Sequence, residues 1–179
     1  MPFAYYERLS PRHQAIYRRS DEITELALPS PAELLPLVSE LRAALSGGDR
    51  GEVEAAAGRL ATGLVRQLDL PPVAIAVLAV RPSSSWGELH GLYTREERRS
   101  PRIQLWMRTA RHRRVVAFRT FLRTLLHEVG HHVDYEALRL GESFHTEGFF
   151  RRESSLFRQL VPGEPASDQD SDSPRPGRK

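Results

Sequence analysis

The sequence predicts an α+β fold: a helical segment over 1–69, a small three-stranded sheet combined with two further helices over 70–161, and a disordered tail over 162–179. Three observations lead there. Helix-start residues open three successive helical stretches in the first 69 positions, short runs of strand character follow between proline-, glycine- and serine-containing loops, and a long amphipathic stretch comes after them. Helices, then strands, then helices is an α+β order rather than the strand–helix alternation of a parallel α/β protein.

Ser10-Pro11 and Ser30-Pro31 each pair an N-cap with a proline suited to the first helical position, predicting helices to about Leu28 and about Leu45, and Asp49 caps a third to about Leu68. "SGGDRG" at 46–51 separates the second from the third, and Pro71-Pro72 stops the helical region. Strands are predicted at Val73–Val80, Glu88–Tyr93 and Arg102–Thr109, the last because Ile103, Leu105 and Met107 alternate with Gln104, Trp106 and Arg108. A long helix is expected from Arg113 to Leu138 and a last one from Thr146 to Leu160. Beyond it "PGEPASDQDSDSPRPGRK" has no aliphatic pattern to bury.

Composition narrows the class. With 179 residues and 40% apolar content the chain can bury a full core, and with no cysteine its stability comes from packing or a metal rather than disulfides. The longest apolar run, "VAIAVLAV" at 73–80, is too short to span a bilayer, so the expectation is a cytoplasmic protein with no membrane contact. The basic residues are arginines except for Lys179, and Arg95, Arg98, Arg99, Arg102, Arg108, Arg111, Arg113 and Arg114 face only Glu96 and Glu97 over 95–114. That cluster is either a solvated loop or a surface for DNA or another polyanion.

The densest polar group lies inside the long helix, at "TLLHEVGHHVDYE" over 124–136. Each residue advances about 100°, so with Phe118 at zero, Phe121, Leu122, Leu125, Leu126, Val129 and Val133 fill an arc from about −60° to about +80°. His127 and His131 fall at about 180° and about 220°, one turn apart and away from that stripe, as two ligands of one metal must. Glu128 falls at about 280°, placed to act on water beside a metal without ligating it. His132 falls at about 320°, at the edge of the apolar arc, and is read as a structural histidine bonded to a carbonyl or carboxylate. Asp134, at about 160° but about 10 Å along the axis from His127, is too far to share the ion and suits an orienting partner for a ligand ring.

A catalytic zinc takes three protein ligands and keeps one position open, so a third must come from elsewhere. Glu136, Glu142, His145, Glu147 and Glu153 are the downstream candidates. His145 is preferred as a neutral imidazole behind the turn "RLGES", and Glu153 on the following helix is the acidic alternative.

These residues resemble the zincin metallopeptidases of the compact SprT-like and YgjP-like groups: His127, Glu128 and His131 match their histidine-glutamate-x-x-histidine helix, and His145 with Phe149 matches their downstream H-x-x-x-F. The resemblance covers about 70–160. It implies a zincin-like core, Zn²⁺ on His127, His131 and His145, and Glu128 as general base in peptide hydrolysis. It also implies an edge strand holding extended peptide, a place that falls to Arg102–Thr109 and so to Gln104 and Trp106. No cysteine-based zinc ribbon is present, and residues 1–69 lie outside the resemblance. The alternative is a zinc-stabilised binding or regulatory module that docks nucleic acid or an acidic partner through 95–114. Trp86, Trp106, Tyr93 and Tyr135 are read as packing before cleft, and His90 as a strand histidine before an oxyanion donor. His13 and His112 are expected to be solvated.

Overall fold

The computed structural model describes residues 3–84, 87–96 and 99–163. Trp86, Glu97, Arg98 and the tail from 164 onward lie outside the described residues. Among the described residues, five α-helices and a three-stranded sheet make a mixed α+β protein. The helices are α1 (Pro11–Glu22), α2 (Leu35–Gly47), α3 (Arg50–Gln67), α4 (Phe118–Glu136) and α5 (Glu147–Leu160). The strands are β1 (Ala74–Val80), β4 (Gly91–Glu96) and β5 (Arg99–Arg108), with the small antiparallel pair β2 (Ser83–Ser84) and β3 (Gly87–Glu88) between them.

Caps set the starts. The Ser10 hydroxyl accepts from the His13 N–H, Asp49 accepts from the Glu52 N–H, and Thr146 accepts from the Phe149 N–H. The largest shifts from the expected boundaries are at two helix ends. The first helix ends at Glu22 because 23–28 run extended along α5, where Gln159 and Ser155 replace helical bonds: Leu28 N–H donates to Gln159 Oε1 at 2.9 Å and Gln159 Nε2 donates to Leu26 O at 2.7 Å. The long helix starts at Phe118 rather than Arg113, since Arg113 takes a positive φ of 52° and β-branched Val115 bridges back to Arg108. The helix expected from Ser30 opens as a 3₁₀ turn, Pro31–Leu34, and continues as α2, with Pro36 in its first turn.

Sheet order is β1-β5-β4, with β5 parallel to β1 and antiparallel to β4. This corrects the placing of Arg102–Thr109 at a sheet edge: β5 is central and its backbone is paired on both sides. Gln104 and Trp106 therefore cannot serve as substrate-strand residues. They also alternate with Ile103, Leu105 and Met107, which are fully buried in the core under α4, and Trp106 is itself only 7% exposed. Along β1 the outer edge is occupied at Val77, whose N–H donates to Glu54 and whose carbonyl accepts from Arg50. The strand expected at Glu88–Tyr93 is divided, Glu88 belonging to β3 and Gly91 onward to β4, the edge beside α4.

One hydrophobic core runs through the described residues, joining Leu41, Leu60 and Leu64 of α2 and α3 to Val77, Ile103 and Leu105 of the sheet and Leu122, Leu126, Leu156 and Leu160 of α4 and α5. The change at 69/70 is thus a change of secondary structure and not a boundary between separate cores. No helix among the described residues is long and apolar enough to cross a membrane.

Candidate metal centre

Helix α4 packs its apolar stripe on the sheet and turns His127 and His131 toward the segment that leads into α5. There His145 completes a triangle: its Nε2 lies 3.0 Å from His127 Nε2 and 3.2 Å from His131 Nε2. Phe149 forms the wall, its ring centroid 4.9 Å from those of His127 and His131 and 5.3 Å from that of His145. It approaches so closely because residue 130 is glycine; a Cβ there would stand 3.0 Å from the Phe149 ring.

The other ring nitrogens explain why three Nε2 atoms meet. His127 Nδ1 bonds the Glu153 carboxylate at 3.2 Å, which can only accept, so the proton sits on Nδ1. His131 Nδ1 lies 2.7 Å from Ser143 Oγ, whose own proton goes to Asp134 Oδ2 at 2.7 Å, so this ring also carries its proton on Nδ1. Both Nε2 atoms then present lone pairs, and His145 has at most one proton to offer between them. Burial first, and then the neighbouring rings, push His131 down to about 3; burial and His127 push His145 down to about 4, so both stay neutral. The Nε2 atoms of His127 and His131 thus both turn an acceptor toward the His145 ring. A tetrahedral ion with bonds of about 2.0–2.1 Å separates its ligand nitrogens by about 3.4 Å, a few tenths beyond the spacing here. The three histidines could hold a metal ion.

Asp134 thus reaches His131 through Ser143. Its other oxygen takes a 2.7 Å bond from Arg152, which is fully buried and also donates to the Ser20 and Ile23 carbonyls. Glu153 stands behind His127, where it also meets Arg123 at 3.4 Å, and not among the converging nitrogens. Glu142 is exposed and Glu147 pairs with Arg151.

Glu128 is only 5% exposed. Burial holds its carboxyl up at about 7, against the lowering influence of His127 and of a bond from the Tyr93 backbone N–H. It lies directly under β4: a Cβ on Gly91 would fall 2.5 Å from its Oε1, so only glycine fits over this carboxylate. His132 is fully buried, with Nε2 donating to Pro71 O at 2.8 Å and Nδ1 accepting from the Tyr93 hydroxyl at 3.1 Å. Burial, with Glu136, pushes that hydroxyl up to about 12, so it keeps its proton. Tyr93 stacks on Tyr135 and lies beside His131. His90 lies beside Arg81 and His13 packs on Phe144.

Sequence reasoning missed Ser143, Arg152 and the contribution of residues 3–28. Arg152 had a signal: with Phe149 at zero it falls at about −60°, inside the stripe made by Phe149, Leu156 and Leu160, and a charged residue there needs a buried partner. Ser143 had none. The N-terminal residues hold the His145 segment directly, since the Tyr5 hydroxyl donates to His145 O at 2.9 Å and Ser20 Oγ meets Thr146 Oγ1 at 3.4 Å. Compared with models of protein families, with curated proteins and with solved structures, the chain has no match.

Proposed function

We propose that this chain is a zinc-dependent peptidase of the zincin type, with His127, His131 and His145 as ligands and Glu128 as general base. The observation that carries the reading is the meeting of three Nε2 atoms, two of them in tautomers fixed by their Nδ1 partners, next to a carboxylate that no ligand role requires. The donor set is three imidazoles, which suits zinc. Zinc held there supplies Lewis acidity that lowers the pKa of water and polarises a carbonyl.

Glu128 does the proton work. With a carboxyl near 7 it takes a proton from the attacking water and returns it to the leaving amine at neutral pH. The Asp134–Ser143 and Glu153 contacts keep the ligand rings in one orientation. Peptide is held along β4 in the place first expected of β5, because β4 is the sheet edge that borders Glu128. Tyr93, whose N–H bonds Glu128 here, links that edge to the base.

Two measurements test this. Purified protein should take up one Zn²⁺ per chain, and wild type should cleave an unfolded protein that Glu128→Gln leaves intact while keeping its zinc. A protein that neither holds nor takes up metal ends the reading. A second reading rests on the exposed Arg99, Arg102, Arg111, Arg113 and Arg114: a zinc-held module that docks a polyanion. It gains if wild type and Glu128→Gln act alike and binding to DNA falls steeply with salt.

A further inference from the structure

Phe3, Tyr5 and Phe150 are 41%, 37% and 41% exposed, three of the five large hydrophobic residues that the described residues leave so open. They stand together beside the metal centre. Phe150 has its ring centroid 5.8 Å from that of His145 and 6.1 Å from that of His127. Phe3 meets Phe150 edge-on at 6.2 Å and stacks on Tyr5 at 6.2 Å, and Tyr5 packs edge-on against Tyr17. A groove of about 510 Å³ adjoins them, lined in part by Phe3, Phe150, Thr24, Ser154 and Arg158.

Water-facing rings gathered at one side of a ligand triad are costly unless something covers them, and aromatic rings accept a further ring edge-on or offset at about 4.5–7 Å between centroids. Charge does not compete for the choice: in the groove Glu25 and Glu147 offset Arg151 and Arg158, and Arg151 is paired with Glu147. The packing among these rings already uses both favoured geometries, which leaves open faces for one side chain of the same kind.

Resting on the hydrolytic reading of the metal centre, we propose that Phe3, Tyr5 and Phe150 form a specificity subsite that takes an aromatic side chain of the peptide substrate next to the bond presented to the metal. Residues 1–69, outside the zincin-like resemblance, thereby supply part of the substrate site. Phe150 and Phe3 are the specificity-determining residues; Tyr5 also holds the His145 carbonyl and is left unchanged in the test.

The test uses the full-length zinc-loaded protein and two probes that anchor on the metal without being cleaved, N-acyl phenylalanine hydroxamate and N-acyl glycine hydroxamate, with affinities read by calorimetry. Wild type should favour the phenylalanine probe by about tenfold or more, as an apolar pocket discriminates. Phe150→Ala should bring the ratio near one, and Phe3→Ala, which touches no ligand, should lower it even if Phe150→Ala disturbs the fold. Equal affinities in wild type, or an undiminished preference in both variants, overturn the subsite. Cleavage-site profiles separate the two readings: hydrolysis without aromatic preference overturns the subsite alone, whereas a wild type that binds the phenylalanine probe tightly and cleaves nothing supports the subsite and overturns the hydrolytic reading.

Discussion

Replacing Glu128 with glutamine should stabilise the metal-free protein, and by an amount that depends on pH. In the fold this carboxyl is 5% exposed and is raised from its ordinary 4.5 to about 7, mainly by burial. A raised carboxyl favours the protonated form in the folded state. Below about pH 4.5 both folded and unfolded chains carry the proton and the group costs nothing; between about 4.5 and about 7 only the unfolded chain releases it, so stability falls; above about 7 the full cost is present. At about 1.4 kcal/mol per pH unit the cost reaches about 3 kcal/mol. Glutamine carries no titratable proton, so the difference between Glu128→Gln and wild type isolates this group from His131 and His145. Those two have the opposite sign, being lowered, and their contribution is lost as pH falls below about 6.5. The assay is urea unfolding of both proteins with chelator from pH 4.5 to 8.5. The variant should gain about 3 kcal/mol at pH 8, roughly 6–12 °C in Tm, and almost nothing at pH 4.5. A gain that is flat across this range, or a variant weaker than wild type at pH 8, would refute the assignment of Glu128 as a buried base under β4.

Three further outcomes are expected. His127→Ala, His131→Ala and His145→Ala should each lower zinc affinity by orders of magnitude in a chelator competition, whereas His132→Ala should keep the metal and lower Tm, since its buried bonds to Pro71 and Tyr93 are structural. Ser143→Ala and Glu153→Gln should weaken zinc binding by about 10–100-fold without abolishing it, because each orients a ligand ring from behind; no change in either would remove the orienting role. Arg152→Met should destabilise the protein by about 3–5 kcal/mol in urea unfolding, since it strands buried Asp134 and two carbonyls of the N-terminal segment.

What was readable in the sequence was whatever one helix encodes by itself. The 3.6-residue period places His127, His131 and His132 on their faces with no knowledge of neighbours, because angle around a helix depends only on spacing. Caps at Ser10 and Asp49 were readable for the same local reason. Strand order was not: alternation in β5 marks one face as buried but is the same for an edge and a central strand, and the parallel pairing with β1 is decided by long-range packing. The bond from Ser143 to His131 likewise depends on how the loop after α4 folds back, which no local pattern records. Extended residues 23–28 were read as helix because their bonding partners, Ser155 and Gln159, lie about 130 residues away.

That last wrapping has a consequence for how the protein comes into being. The bonds joining residues 5–28 to residues 145–159 span 126–140 positions of sequence. Closing so long a loop is entropically expensive and is favoured only once intervening elements have shortened the path, so these contacts belong to the slow, late part of folding. At about 5–20 residues per second of synthesis, the first segment emerges roughly 7–30 s before α5 exists to receive it. During that interval Tyr5, Ser20 and Leu26 lack their partners from 145–155, and His145 has not been made. On the proposed reading an ion is therefore acquired by a nearly finished chain, and a mutation in the first 28 residues would appear as slow maturation of metal content before it appeared as a change at the centre itself.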